Sequence, residues 1–121
     1  MKDLTRAAQA LSDETRLRIL NIMSLKECCV CEVMQALDIS QTRASRNLRI
    51  LDNAGFLTMR SDGLYTLYAL KKAGKDSFIT DLLAAVKTTM QHNQTAKKDI
   101  ERLKKSQRIH PRCSSLARES A

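Results

Sequence analysis

The stretch that decides the fold lies at residues 30–54 and reads VCEVMQAL-DIS-QTRASRNLRILDNA. Its first part repeats apolar residues at the i, i+3, i+4, i+7 spacing of one helix face, namely Val30, Val33, Met34 and Leu37. Residues 38–40 interrupt this pattern, and Ser40 is a good N-cap for a second helix, predicted at Gln41–Ala54. The apolar face of that second helix carries Ala44, Leu48 and Leu51. Two short helices joined by about three residues are typical of a helix-turn-helix.

A β-hairpin is predicted directly after the second helix, which Gly55 ends in the C′ position. Two short runs rich in β-favouring residues follow, Phe56–Arg60 and Leu64–Leu70, separated by Ser61-Asp62-Gly63. An Asp-Gly pair between two such runs is a strong signal for a hairpin. A hairpin in this place makes the helix-turn-helix a winged one.

Helices are also predicted on both sides of this unit. Ser12-Asp13-Glu14 offers an N-cap and an acidic first turn to a buried helix at Thr15–Leu25, and a shorter helix at Leu4–Leu11 precedes it. A long helix is predicted from about Lys75, continuing weakly to Leu103 or beyond. Its apolar stripe consists of Ile79, Leu82, Leu83, Val86 and Met90. Since no further element of the chain follows to cover this stripe, it implies a partner chain.

The predicted fold class is therefore mainly α with a small β-hairpin, a dimeric winged helix-turn-helix. With 121 residues the chain is long enough for one domain with one core. We expect that domain to span residues 1–103, and residues 104–121 to form a basic, disordered tail. Aromatic residues make up only 3% of the chain, which argues against a stacking platform for single-stranded nucleic acid.

Charge and composition narrow the function further. Of the net charge of +8, residues 41–75 carry +5, which favours a partner that is a polyanion. No apolar run approaches the length of a membrane span and Met1–Ala10 has no signal-peptide core, so we expect a cytoplasmic protein without a membrane partner. No glycine-rich phosphate loop or recognisable nucleophile–base pair is present, and we predict no enzymatic activity.

The polar face of the second helix is predicted to read double-stranded DNA. It carries three arginines and no acid before Asp52, whereas an ordinary solvated face mixes both signs. Arginine and glutamine can make bidentate contacts to base edges, and serine and threonine can reach bases or phosphates. The predicted DNA-binding residues are Gln41, Thr42, Arg43, Ser45, Arg46 and Arg49 on this helix, with Arg60 on the wing.

Three of the four cysteines, Cys28, Cys29 and Cys31, lie within four residues. One cysteine could be an inert core residue, but three together favour a site for a soft metal or for redox chemistry. Side chains two positions apart on an ideal helix do not face each other. Cys29 and Cys31 can therefore share one small ion only if this turn is unwound or precedes the helix proper.

Several segments in order resemble the arsenic-operon repressor family (ArsR/SmtB). Residues 11–20, LSDETRLRIL, are similar to its opening segment, and residues 27–33, ECCVCEV, look like its metal-binding box "ELCVCDL". Residues 37–51 resemble its recognition segment, and residues 54–57 with 63–70 resemble its wing. The resemblance covers roughly residues 5–90.

This resemblance implies a homodimeric repressor that leaves its operator when a metalloid binds. Cys29 and Cys31 match the two box cysteines of arsenite-responsive members, and Met34 stands where some members have a third ligand. The predicted ligands are Cys28, Cys29 and Cys31, with As(III) or Sb(III) as inducer and no constitutive cofactor; the third thiolate could instead be Cys113. The alternative is a repressor of the same fold that responds to thiol oxidation or persulfides.

Overall fold

The computed structural model describes residues 1–72 and 78–109, which form six helices and one hairpin. In chain order the elements are α1 (Lys2–Ala10), α2 (Glu14–Met23), α3 (Val30–Leu37), α4 (Gln41–Asn53), β1 (Leu57–Asp62), β2 (Tyr65–Leu70), α5 (Phe78–Met90) and α6 (Gln94–Lys105). Three helices start at side-chain caps, because Asp13, Ser40 and Asn93 each accept a hydrogen bond from the backbone N–H three residues later.

The helix-turn-helix is confirmed as α3 and α4. Asp38 ends α3 in the left-handed conformation (φ 56°), so the chain turns sharply into the Ser40 cap. Ala44, Leu48 and Leu51 are fully buried against the core, as their helical spacing predicts. The polar side of α4 is thereby turned away from the protein.

The wing is confirmed as an antiparallel hairpin, in which Leu57 pairs with Leu70 and Asp62 with Tyr65. The predicted turn was wrong by two residues, since β1 runs through Asp62 and the connection is Gly63-Leu64. Gly63 has φ +63° and Leu64 has no positive φ, which is the pattern of a type II′ turn with glycine first. This turn matches the twist of the strands without a third loop residue.

The prediction of one long C-terminal helix was also wrong. The chain bends at residues 91–93, and Asn93 caps a separate helix, α6. The predicted start near Lys75 lies outside the described residues. α5 packs on α2, and α6 folds back over α2 and α3. The apolar stripe of α5 is consequently half-covered by its own chain, with Val86 and Met90 buried.

A buried carboxylate fixes α6 in this position. Asp99 is fully buried and accepts two hydrogen bonds of 2.8 Å from Arg18 and one of 2.8 Å from Arg102. The same two arginines donate to the carbonyls of Leu37 and Ala36 at the end of α3. The ion-pair cluster therefore ties α2, α3 and α6 together immediately before the turn into α4.

Within residues 1–72 and 78–109, no helix is long and apolar enough to cross a membrane.

Candidate DNA interface and thiol site

The predicted DNA-reading face of α4 is exposed. Thr42, Arg43, Arg46 and Arg49 are exposed to solvent, all on the side opposite the buried stripe. Gln41 and Ser45 are half-buried, and the Gln41 Nε2 donates to Ser45 Oγ at 2.9 Å. The first two turns of α4 thus present a basic, hydrogen-bonding surface of the kind that fits a major groove.

Two residues of this helix have contacts that the sequence did not predict. Arg43 Nη2 donates to Thr15 Oγ1 at 2.8 Å, so its guanidinium leans toward the start of α2. Asn47 is buried and bridges the two helices, accepting from Arg16 Nη1 and donating to the Arg43 carbonyl, both at 2.9 Å. Asn47 therefore holds α4 in place and does not belong to the exposed face.

On the wing, Arg60 is exposed but paired. Its Nε donates to the Glu27 carboxylate at 3.0 Å, and a second donor, Nη2, completes a bidentate contact. This ion pair holds the pKa of Glu27 below its usual value. Glu27 directly precedes the three cysteines, so the wing arginine is tied to the thiol segment.

The structure brings two of the three cysteine sulfurs together. Cys29 Sγ and Cys31 Sγ are 3.3 Å apart, and both residues are buried. This is possible because Cys29 is the N-cap of α3, in extended conformation (φ −85°, ψ 172°), while Cys31 lies in its first turn. The condition derived from the sequence, that the turn must precede the helix proper, is met.

Cys28 points elsewhere. Its backbone pairs with Tyr68 of β2 through hydrogen bonds of 2.9 and 2.8 Å, and its side chain is part of the main hydrophobic core. Cys29 and Cys31 instead form a small separate cluster with Leu67, against which Tyr65 packs. Among the residues that the structure describes, no three Cys, His, Asp or Glu side chains are grouped so as to hold a metal ion. The predicted three-cysteine set is thus not assembled.

Cys28 and Cys29 carry neutral thiols in this state. Burial raises the pKa of Cys28 and of Cys29 to about 12 in each case. For Cys29, a hydrogen bond from the Glu32 backbone N–H acts in the opposite direction. A thiol that is neutral when unliganded must give up its proton as it binds a soft ion.

A buried carboxylate lies beside the sulfur pair. Glu32 accepts hydrogen bonds from the Cys29 N–H at 3.0 Å, from Lys26 Nζ and from Arg108 Nε at 3.0 Å. These partners lower the pKa of Glu32 although burial alone would raise it. Glu32 thereby fixes the extended conformation of Cys29 on which the sulfur separation depends.

The third of these partners belongs to a segment that sequence reasoning missed. Residues 106–109, here called the strap, follow α6 and cross the start of α3. Gln107 exchanges hydrogen bonds with Gln35, and the Arg108 carbonyl accepts one from Tyr65 Oη at 3.1 Å. The Arg108 guanidinium also lies over the Tyr65 ring and 3.6 Å from Asp62. Contacts with the domain therefore continue past the predicted boundary at residue 103; residues 110–121 lie outside the described part.

Comparisons with known proteins show which family this chain resembles. A family model described as "Bacterial regulatory protein, arsR family" matches residues 13–58. An arsenical resistance operon repressor of Staphylococcus aureus is 33% identical over 81 residues, which cover 67% of this chain and 78% of that protein. The chain belongs to the arsR family.

Two further relatives extend the comparison of this arsR-family chain. A cadmium resistance regulatory protein CadC homolog of Staphylococcus aureus is 39% identical over 69 residues, 56% of this chain, and the chain spans only 57% of that relative's length. A solved homodimeric winged helix-turn-helix DNA-binding domain from Mycobacterium bovis, a possible ArsR-family regulator, matches with a TM-score of 0.63 and 28% identity. The match covers 77% of this chain and 82% of that one.

In this arsR-family chain, Met34 packs against the main core. The residues that surround the pair come from distant positions, Tyr65 and Arg108 among them. The contact between Glu32 and Arg108 joins positions far apart in the sequence, and no local sequence pattern predicts it. The strap therefore could not be predicted from the sequence.

Proposed function

We propose that this arsR-family chain is a transcriptional repressor that binds double-stranded operator DNA as a homodimer and is released when As(III) or Sb(III) binds Cys29 and Cys31. The observation that carries the proposal is the 3.3 Å separation of the two sulfurs. The names of the staphylococcal relatives and the homodimeric DNA-binding neighbour support the same conclusion.

The sulfur separation favours a pyramidal ion. With bonds of about 2.3 Å, as in zinc thiolates, sulfurs 3.3 Å apart subtend an angle of about 90° at the ion. A tetrahedral ion with the same bonds needs sulfurs about 3.8 Å apart. As(III) and Sb(III) are pyramidal because of their lone pair, and they prefer thiolates to oxygen or nitrogen ligands.

Binding proceeds by exchange without redox change. As each As–S bond forms, one thiol gives its proton to one As–OH group, which leaves as water. Two such exchanges at Cys29 and Cys31 convert As(OH)₃ into a dithiolate with one remaining hydroxyl. Both thiols are buried, so the segment around them must open before the inducer can enter.

The helix proposed to bind DNA, α4, packs against the helix that begins at the two cysteines. Cys29 is the N-cap of α3 and Cys31 lies in its first turn, and α3 packs on α4. Because the buried segment around the sulfurs must open to admit the ion, binding changes the start of α3 and, through it, the position of α4. A coupling of about 1–3 kcal/mol is sufficient, since it weakens operator binding roughly 5–150-fold.

The test is an operator-binding titration with arsenite. We expect wild type to release operator DNA, and Cys29→Ser and Cys31→Ser to bind the operator normally and remain bound. Cys28→Ala is the matched control, since it removes a neighbouring buried thiol that lies in the other cluster, and it should release like wild type. Normal release by both Cys29→Ser and Cys31→Ser would refute the proposed sensor.

The same sulfur pair favours a second candidate, a thiol-redox switch. Sulfurs at 3.3 Å need to approach by little more than 1 Å to form a disulfide bond of about 2.05 Å. Forming it removes two hydrogens and requires an external two-electron oxidant such as a peroxide. Release by peroxide but not by arsenite, with a mass loss of two hydrogens, would establish this candidate in place of the first.

A further inference from the structure

We infer that the strap, residues 106–109, is a lid over the sulfur pair of Cys29 and Cys31, and that its opening limits how fast a thiol-reactive ligand reaches the two sulfurs. The inference concerns access to the pair and applies equally to a soft ion, an oxidant or an alkylating reagent. It therefore goes beyond the proposed function, which names one class of inducer.

The strap contacts the neighbours of the sulfur pair on two elements, α3 and the wing. On α3, the Arg108 guanidinium donates to Glu32, whose carboxylate also accepts from the Cys29 N–H. On the wing, the same guanidinium lies 5.8 Å from the centroid of the Tyr65 ring, which packs on the cluster that contains both cysteines. Cys29 and Cys31 are almost fully buried in this arrangement.

The other two elements around the pair are firmly held. α3 packs on α2, α4 and α6, and its Val33 and Ala36 are fully buried in the main core. The two strands of the wing are paired from Leu57 to Asp62, and Cys28 adds a bridge from the thiol segment to β2. Neither element can move away from the sulfurs without breaking core packing or backbone hydrogen bonds.

The strap is held only by polar contacts. Among the described residues, neither hydrophobic cluster includes a side chain of the strap, and Ile109 is 65% exposed. Its backbone is held by the Gln35 side chain at Gln107 and by the Tyr65 hydroxyl at Arg108. Segments that bury little apolar surface open locally at a small cost in free energy. We therefore expect the strap to open before α3 or the wing does.

Opening of the strap should determine the reaction rate of the two buried thiols. A buried group reacts only in the open fraction of the molecules, so its rate rises in proportion to that fraction. Loss of the Arg108 charge acts in the opposite direction, because this guanidinium interacts with Cys29 and a neighbouring cation favours the reactive thiolate. Faster reaction without Arg108 therefore reports opening and not the change in charge.

The experiment follows alkylation of each cysteine by iodoacetamide, in which sulfur displaces iodide, in the full-length protein at one fixed pH. Peptide mass spectrometry gives a separate rate for each cysteine. Tyr65→Phe removes the hydroxyl that donates to the strap and keeps the ring on the sulfur pair. Since one hydrogen bond changes an equilibrium by about 2–10-fold, Cys29 and Cys31 should react faster by about that factor. Arg108→Ala removes ion pairs and should accelerate both by about tenfold.

Two controls separate strap opening from a general loosening of the fold. Cys28 lies in the main core, so its rate should stay unchanged in both variants. Lys105→Ala removes an exposed positive charge next to the strap and should react like wild type. Equal acceleration of Cys28, or unchanged or slower reaction of the sulfur pair in both variants, would overturn the inference. Cys113 lies outside the described residues, and its peptide is followed separately.

This inference and the proposed function can fail independently. If Cys29→Ser and Cys31→Ser still release operator DNA with arsenite, the proposed function fails, while the alkylation rates continue to decide the role of the strap. If release depends on both cysteines but Tyr65→Phe and Arg108→Ala alkylate at the wild-type rate, the sensor stands and the lid is refuted.

Discussion

Arg46 and Arg43 lie less than one turn apart on α4, but they differ in their contacts with the rest of the protein. Arg46 is exposed and makes no hydrogen bond or ion pair with the described residues, whereas Arg43 already donates to Thr15. We predict that Arg46→Ala weakens operator binding by about 1–3 kcal/mol and relaxes base preference at one position. Arg43→Ala should cost less, because Arg43 must exchange one hydrogen bond for another.

The measurement is a comparison of both variants on the operator and on sequences with single base changes. Asn53→Ala, an exposed change at the end of α4 and outside the predicted DNA-binding set, serves as a control for general damage to the helix surface. An equal loss on every sequence would make Arg46 a phosphate contact, and a larger loss for Arg43 than for Arg46 would contradict the order argued here.

For single residues, the exposure of a side chain could be predicted from the sequence, but its hydrogen-bond partners could not. The 3.6-residue period placed Ala44 inside and Arg46 outside correctly, because each side of a helix follows from spacing alone. The same reasoning gave no hint that Asn47 binds Arg16, which is 31 positions away. The spacing of Cys29 and Cys31 showed that their sulfurs can meet only outside a regular helix. The Glu32 contacts that hold Cys29 in its extended conformation include one with Arg108, 76 positions further along the chain, which the spacing does not predict.

Among the elements, α6 shows most clearly where sequence patterns reach their limit. Its amphipathic pattern predicts a helix, and Asn93 at its start is a good cap, yet the apolar pattern continues across Asn93 and predicts one long helix with α5. What turns α6 back is tertiary: Asp99 reaches Arg18, 81 positions earlier in the chain. A single sequence carries no signal for such a pairing, since Asp and Arg are both common on solvent-exposed surfaces.

The Asp99 cluster should therefore dominate the stability of this part of the fold. We predict that Asp99→Asn lowers the free energy of unfolding by about 2–3 kcal/mol, because it leaves Arg18 without its charged partner. The loss stays below that of a fully buried pair since the Arg18 and Arg102 side chains are 20% and 40% exposed. Chemical denaturation measures this loss, and Glu101→Gln, an exposed change on the same helix, should alter stability by less than about 0.5 kcal/mol.

Amide hydrogen exchange can show which helix is destabilised by Asp99→Asn. If the cluster holds α6 on α3, Asp99→Asn should speed amide exchange in residues 94–105 more than in α4. Uniform acceleration across all helices, or a stability equal to that of Glu101→Gln, would mean that the packing of Leu103 and Ala96 holds α6 without the ion pairs.

Across the whole molecule, the thiol segment is connected to both elements that would meet DNA. Cys29 and Cys31 begin α3, which packs on α4, while Cys28 pairs with Tyr68 of the wing and Glu27 holds Arg60 at the wing's outer strand. The strap adds a link from Glu32 to Asp62 through Arg108. A change at the sulfurs is therefore expected to reach both α3 and the hairpin.

This connectivity leads to a thermodynamic prediction for the proposed function. If arsenite weakens operator binding by some factor between about 5 and 150, the operator must weaken arsenite binding by the same factor. The two factors are measured separately, one from operator titrations with and without saturating arsenite, the other from arsenite titrations with and without saturating operator. Cys29→Ser should bring both factors to one. Unequal factors in wild type would mean that arsenite releases DNA through another route, such as aggregation or loss of the dimer, and not through the sulfur pair and the helices joined to it.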